Sequence, residues 1–274
     1  MKNIILFGYG KMGSSIAKGW MLKKLKFNFF VIEKVSSLRK VAGDDGFKAF
    51  ENINKLNELV EIKSGDIFFL AVKPQQMKET IDSFLKFNFN DILFISIAAG
   101  LSLSWFQSQI DKSIKMVRTM PNLPASIGFG ITGYCKTNNL SQNDIENTND
   151  LLMAFGKVIY LSSEDLMDVV TAISGSGPAY IFYLVEVLSK IGKENGLQEQ
   201  DARTLALETL IGSSRLLEAS KIDAEKLKKN VTSPGGTTEA GLEILESMET
   251  GLYPLLNSTI KNAKKRALAL NKSG

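Results

Sequence analysis

A chain of 274 residues, 44% hydrophobic and 23% charged, has the make-up of a folded protein of about two domains, which excludes wholesale disorder, a collagen-like rod and a membrane-span composition. Its 33 basic and 29 acidic side chains leave a net charge of +4 without a long basic block, so the expected partner is a small molecule, with no nucleic acid and no membrane. Histidine is absent, which removes His-based triads and histidine zinc sites, and no metal is expected; the single cysteine, Cys135, closes no internal disulfide and reads as a small buried hydrophobe.

In chain order, Lys2 to Phe7 is a short apolar run ending in glycine and predicts a buried strand, and Lys11 to Leu25 carries apolar groups at helical spacing. Phe29 to Ile32 predicts a second strand, followed by a helix-compatible polar stretch. Asp66 to Val72 and Asp91 to Ile97 predict two more strands, and Lys115 to Val117 and Val158 to Leu161 a further pair around the Pro- and Gly-rich stretch 120–133. Runs apolar on both faces, alternating with helical segments, suit a parallel sheet covered by helices, so the fold class of the first half is doubly wound α/β. From Glu164 the strand-like runs stop, and apolar residues recur three and four apart: Leu166, Val169, Val170 and Ile173, then Tyr180, Ile181, Leu184, Val187, Leu188 and Ile191. One helix should end near Asn195 and Gly196, and others cover Glu199 to Leu217 and Asp223 to Asn230 and follow Thr237 and Pro254. With no stretch of signal-peptide type at its start, the chain is read as cytoplasmic.

Gly8-Tyr9-Gly10-Lys11-Met12-Gly13 stands directly after the first strand and opens the first helix. In such a G-x-G-x-x-G the first glycine permits the tight turn, the second lets a diphosphate reach backbone N–H groups, and the third allows close helix packing. The helix N-terminus attracts the anion, which makes Gly8, Gly10, Lys11, Met12 and Gly13 candidate cofactor-binding residues. Glu33 ends the second strand, where a carboxylate accepts hydrogen bonds from ribose hydroxyls and favours NAD. Lys34, Ser36, Ser37 and Arg39 follow at once and are groups that hold a ribose 2′-phosphate, so NAD and NADP both stay open. Ala71-Val72-Lys73-Pro74 and Ala98-Ala99-Gly100 end strands on the side where doubly wound sheets bind ligands. The expected organisation is a Rossmann-type dinucleotide-binding domain over residues 1–162 and an all-helical domain over 163–274.

Three further segments complete the set: Arg118 to Ala125 (RTMPNLPA), Ser174 to Tyr180 (SGSGPAY) and Val231 to Thr238 (VTSPGGTT). With the strand ends above they make the chain resemble pyrroline-5-carboxylate reductase over essentially its whole length. The resemblance implies NAD(P)H-dependent reduction of 1-pyrroline-5-carboxylate, a cyclic imino acid, to L-proline, the final step of proline biosynthesis. It implies a homodimer intertwined through the helical domain, the unit of a larger ring of dimers. By the same resemblance Asn57, Pro121, Asn122 and Pro178 match cofactor positions, and Ser176, Val231, Ser233, Gly235, Gly236, Thr237 and Thr238 match substrate positions.

Residue chemistry agrees. Ser233 to Thr238 is a Pro-Gly-Gly loop feeding a helix, and consecutive N–H groups at a helix N-terminus suit a substrate carboxylate, although Ser233 or Thr237 could equally cap that helix in the ordinary way. Thr238 is the candidate catalytic residue, a hydrogen-bond partner for the ring nitrogen. Glycine and proline destabilise a helix interior by roughly 1 and 3 kcal/mol, so Gly175, Gly177 and Pro178 mark either close approach by a ligand or a helix start. Two positions depart from the family pattern: Gly13 stands where alanine is frequent, a change expected to be harmless for packing, and Lys221 stands where several relatives carry glutamate. A reductase of the hydroxyacid dehydrogenase type would use a lysine in the long helix after the domain boundary, and Ser174 to Leu188 contains none. A nucleotide-sensing module would leave the Ser-Pro-Gly-Gly-Thr-Thr loop without a purpose.

Overall fold

Ile4 and Leu6 face one side of the first strand and Ile5 and Phe7 the other, and all four are buried, as a strand covered on both faces requires. The same holds along the fourth strand, with Ile67 and Phe69 on one side and Phe68 and Leu70 on the other. The structure is a computed structural model and describes residues 1–87 and 91–272. Its strands are β1 (Asn3–Phe7), β2 (Asn28–Ile32), β3 (Lys48–Phe50), β4 (Ile67–Leu70), β5 (Leu93–Ser96), β6 (Lys115–Met120), β7 (Gly130–Lys136) and β8 (Gly156–Tyr160). Among the described residues they form one sheet in the order β3-β2-β1-β4-β5-β6-β7-β8, parallel throughout except for the antiparallel pair β6 and β7. The chain winds outward from β1 through β2 and β3, then returns to β4 and winds the other way, so the order reverses between β1 and β4.

The helices between these strands are α1 (Lys11–Leu22), α2 (Ser36–Asp44), α3 (Ile53–Asn57), α4 (Pro74–Leu85), α5 (Leu103–Gln109) and α6 (Gln142–Met153). On one face of the sheet Phe7, Phe68, Phe84 and Phe94 stack at ring-centroid distances of 5.2 to 5.6 Å. On the other face Trp20 packs edge-on to Phe69 and donates its indole N–H to the Leu151 carbonyl at 2.9 Å, tying α1 to α6. Cys135 on β7 is buried, and burial pushes its thiol up to about 12, which leaves it inert as a nucleophile.

Two strands depart from the sequence expectation. β3 is only three residues long and exists through its parallel register with Phe30, Val31 and Ile32. β7 runs through the stretch read as Pro- and Gly-rich connection, and its glycines serve contact: a Cβ at Gly133 would lie 2.8 Å from Val170 and one at Gly130 2.8 Å from the Phe155 carbonyl. The other elements given bounds from the sequence lie within a few residues of them, and α3 to α6 are added by the structure.

The chain separates into two compact units, Met1–Gly175 with Ala263–Gly274, and Ser176–Asn262. The division falls later than the change of sequence character near Ser162, because the first helical turns after it, including α7 (Met167–Val170), bury Met167 against Cys135 and Leu161. The second unit holds α8 (Gly177–Glu194), α9 (Glu199–Ser220), α10 (Ala224–Asn230) and α11 (Thr237–Leu245), and α12 (Leu252–Lys272) begins there. α8 and α9 form a hairpin turned at Gly196 with φ +98°, and Gly192 lets Ala202 approach to contact distance. Lys221 takes the left-handed conformation at the C-cap of α9, with φ +54°.

Gly13 in α1 makes one of the tightest contacts of the first unit: an added Cβ would stand 2.3 Å from the Gly8 carbonyl oxygen. The expectation that alanine and glycine are interchangeable there does not hold in this structure. Gly13→Ala should therefore lower the unfolding free energy by about 1–3 kcal/mol, the usual cost of overpacking, in a urea titration with unchanged slope. Parental stability would mean that the loop has room to move away.

Candidate functional site

Strands β1 to β6 run parallel and end on the same edge, and the chain there supplies the cofactor segments in turn. Gly8 follows β1, Glu33 follows β2, Ala71 follows β4, Ala98 follows β5, and Pro121 follows the end of β6 at Met120. Backbone bonds set the entry to each: the Gly8 N–H donates to the Ile32 carbonyl at 2.8 Å, and the Ala71 N–H to the Phe7 carbonyl at 2.8 Å. Gly8 has φ +95°, and its α carbon sits so close to Ala71 that a Cβ would meet the Ala71 carbonyl at 2.9 Å.

A cleft of ≈ 300 Å³ opens at this edge, beside the point where the strand order reverses. Gly8, Gly10, Glu33, Lys34, Ala71, Val72 and Lys73 line it, together with Asn52, Gln76 and Thr80. Gly10 is the N-cap of α1 and brings no side-chain cap, so the first-turn N–H groups of Lys11, Met12 and Gly13 have no intrahelical acceptor. A Cβ at Gly10 would meet no atom within 4 Å, so glycine is not demanded there by the protein's own packing. A bare helix N-terminus, open space over Gly10 and a lysine at position 73 fit a dinucleotide diphosphate, and Lys34 lines the same cleft just after Glu33. Lys73 is the N-cap of α4 and Pro74 its first residue.

Several expected cofactor residues take other places. Asn57 ends α3, is exposed and does not line the cleft; Asn52 does, as the N-cap of α3 accepting the Lys55 N–H at 3.1 Å. The resemblance assigned Asn57, and in a stretch with asparagines at 52, 54 and 57 no residue pattern fixes which of them reaches the cleft. Ala98, Ala99 and Gly100 lie outside the cleft lining, and Gly100, at φ +80°, is packed against the Leu270 backbone. Asn122 is buried with its carboxamide oxygen accepting the Ile131 N–H at 2.9 Å, which closes the turn beside Pro121. Arg118, buried just before that turn, pairs with Glu164 at 2.6 Å, and the same Glu164 oxygen accepts the Leu103 N–H at 2.9 Å. Arg39 donates to the carbonyls of Glu33 and Lys34 at 2.8 and 3.1 Å, and Lys34 pairs with Glu79 at 2.5 Å. Tyr9 was not anticipated: its ring is buried, its hydroxyl donates to Asp45 at 2.9 Å, and burial with that bond holds the phenol above the ordinary tyrosine range.

In the other segments, Thr171–Gly175 is a π-helical turn, a form that recurs at functional sites, and α8 starts after Ser176 with Pro178 in its first turn. Pro178 is thus accommodated as a helix start, and Ser176 caps α8 without a side-chain bond. In the Ser233 to Thr238 loop the N-cap of α11 is Gly236, again with no side-chain cap, so neither Ser233 nor Thr237 serves as an ordinary cap. Gly235 has φ +71°, and a Cβ on Gly236 would lie 2.5 Å from the Ser233 hydroxyl. Their N–H groups are engaged within the loop, Gly235 with Glu239 at 2.7 Å and Gly236 with the Ser233 carbonyl at 3.0 Å. The N–H groups of Thr237 and Thr238 in the first turn have no intrahelical acceptor. Among the described residues the hydroxyls of Thr237 and Thr238 make no hydrogen bond, whereas Thr204, Thr232 and Thr259 donate back to carbonyls four residues earlier. Val231, just before the loop, is exposed.

Residues 164–270 match the family model for pyrroline-5-carboxylate reductase dimerisation, and residues 3–100 that for coenzyme F420-dependent NADP oxidoreductase. The pyrroline-5-carboxylate reductase of Aquifex aeolicus is 31% identical over 262 residues, which is 95% of this chain and 96% of that one. The solved structure of the reductase from Coxiella burnetii matches with a TM-score of 0.89 at 30% identity, and that from Plasmodium falciparum, with NADP bound, with a TM-score of 0.81 at 28%; each covers 98% of both chains. Sheet order, cleft and matching relatives define an oxidoreductase that uses a nicotinamide dinucleotide. Within that class, the chain belongs to the pyrroline-5-carboxylate reductase family.

The cleft makes a direct prediction. Gly10→Val should keep the parental thermal midpoint, since a Cβ there meets no atom within 4 Å, and should abolish NADPH binding in calorimetry by filling the diphosphate position. Unchanged affinity would remove the α1 N-terminus from the site.

Proposed function

We propose that this chain reduces 1-pyrroline-5-carboxylate to L-proline with NAD(P)H, the final step of proline biosynthesis, in the cytoplasm. The observation that carries this reading is the Ser233 to Thr238 loop, where glycine-built geometry leaves two threonine hydroxyls and their N–H groups without partners inside the chain. A cyclic imino acid presents a carboxylate and, one ring bond away, the nitrogen of the reacting C=N. Adjacent donors of that kind suit both groups.

Bound NAD(P)H supplies the hydride. Gly8, Gly10 and the first turn of α1, from Lys11 through Gly13, hold its diphosphate, and Ala71, Val72 and Lys73 border it. Ala98, Ala99, Gly100, Pro121, Asn122 and Pro178 remain assigned to the cofactor by family resemblance. On the substrate, the N–H groups of Thr237 and Thr238 and the Ser233 hydroxyl receive the carboxylate, with Gly235 and Gly236 shaping the loop rather than donating. Thr238 orients the ring nitrogen through its hydroxyl, and Ser176 and Val231 border the ring. When the imine is protonated, the carbon accepts the hydride and the nitrogen keeps its proton as it becomes an amine, so no protein base is required. That balance suits a chain without histidine.

We also propose a homodimer, the unit of a ring of dimers, formed through the helical segment matched by the dimerisation model. In α8 alone Ile181, Phe182, Tyr183, Leu184, Leu188 and Ile191 are exposed, an apolar surface that a monomer would leave to water. Sedimentation at micromolar concentration should give a dimer or a multiple of it, and a monomer would refute the assembly.

The activity is tested by mixing the protein, NADPH and pyrroline-5-carboxylate: absorbance of the reduced cofactor should fall as proline forms in equal amount, and a flat trace would refute the reading. Thr238→Ala should lower kcat/KM by roughly ten- to a thousandfold, the range for one positioned hydrogen bond near changing charge, without altering NADPH affinity. Thr238→Ser should retain much of the activity. Wild-type kinetics for the alanine variant would assign the nitrogen to another group.

A further inference from the structure

A carboxylate at the end of β2 in a doubly wound sheet ordinarily turns outward to the adenosine ribose. Glu33 is 8% exposed and is turned back into the protein. Its Oε2 accepts the Tyr9 N–H at 2.7 Å and its Oε1 the Val35 N–H at 2.8 Å. Its own N–H donates to the Phe50 carbonyl at 2.9 Å and its carbonyl receives Arg39 at 2.8 Å, so the residue is held on every side. Among the described residues no lysine or arginine side chain forms an ion pair with it. A buried carboxylate is tolerated only with charge-assisted hydrogen bonds, and these two backbone donors are what it has.

We propose that Glu33 is a positioning residue that holds the glycine loop in its anion-binding shape and does not read the ribose 2′ position. Tyr9 lies between Gly8 and Gly10, the two glycines on which the turn depends. Bonded to Glu33, the Tyr9 N–H points away from the ligand edge, and the loop is fastened to β2 at two successive residues, through Gly8 to Ile32 and through Tyr9 to Glu33. The donors left to face the cleft are those of the first turn of α1. Loss of the strut loosens the diphosphate site, which is common to NADH and NADPH, so both cofactors suffer alike. Lys34 remains the cleft-lining cation at the ribose end.

The inference rests on the cleft being the dinucleotide site, and its test separates the two. In cofactor-free protein, amide hydrogen exchange at Tyr9 should quicken about tenfold or more in Glu33→Gln, a measurement that involves no nucleotide. By calorimetry, Glu33→Gln should bind NADH, NADPH and an NADH analogue lacking the adenosine 2′-hydroxyl more weakly by one shared factor of about ten to a hundred, the equivalent of one hydrogen bond to a charged group. Should Glu33→Gln fail to fold, Glu33→Asp, which keeps the charge but falls a methylene short of Tyr9, should show the same equal loss. Unchanged exchange at Tyr9 would overturn the proposal. So would a loss seen with NADH but absent for NADPH and the 2′-deoxy analogue, which is the signature of a ribose-reading carboxylate. If the parent protein binds none of the three nucleotides, the cleft assignment fails, while exchange at Tyr9 still decides the strut.

Discussion

Between the carbonyl of Gly8 and the α carbon of Gly13 there is no space for a methyl group. Everything at the cofactor edge depends on that contact. It lets α1 begin directly on the turn that ends β1, so the helix presents bare N–H groups where the sheet's strand order reverses. Gly8 supports the contact from the other side, by a left-handed turn packed on the Ala71 carbonyl, and Tyr9 is fastened to β2 through Glu33. A loop so constrained is shaped before any ligand arrives, which reduces the ordering cost of binding.

The same device recurs in the helical unit with a different occupant in view. At Gly236 a missing side chain lets the chain fold over the Ser233 hydroxyl, and α11 starts without a side-chain cap. Side-chain caps occur elsewhere: Asn52 caps α3, Ser102 caps α5, and Ser141 with Asp144 forms a capping box on α6, while α2, α9 and α10 share the uncapped start of α1 and α11. Forgoing a cap costs about 1 kcal/mol of helix stability. The donors left free are the chemical resource of the loop.

Much of this was legible in the sequence, and the limits have physical causes. β1, β4 and β5 are charge-free apolar runs buried on both faces, so composition alone marks them. β7 was not legible because Gly130, Thr132 and Gly133 break the apolar run, and the strand is set by its pairing with β6 and β8. The glycine fingerprint and the Ser-Pro-Gly-Gly-Thr-Thr loop were readable because their backbone demands are carried by residue type. The direction of a side chain is not encoded that way. Glu33 stands where a ribose acceptor belongs, yet its carboxylate turns toward Tyr9, and only the fold shows it. Asn57 and Asn52 differ by little more than one helical turn, and capping of α3 places Asn52 in the cleft.

The central claim is that glycine-built contact turns the first turn of α1 into the anion site. Amide-resolved NMR of the labelled protein titrated with NADPH tests it most directly. The largest shift changes should fall on the amides of Gly10, Lys11, Met12 and Gly13, with smaller ones at Ala71, Val72 and Lys73. Saturable binding that leaves the α1 amides unmoved would contradict it.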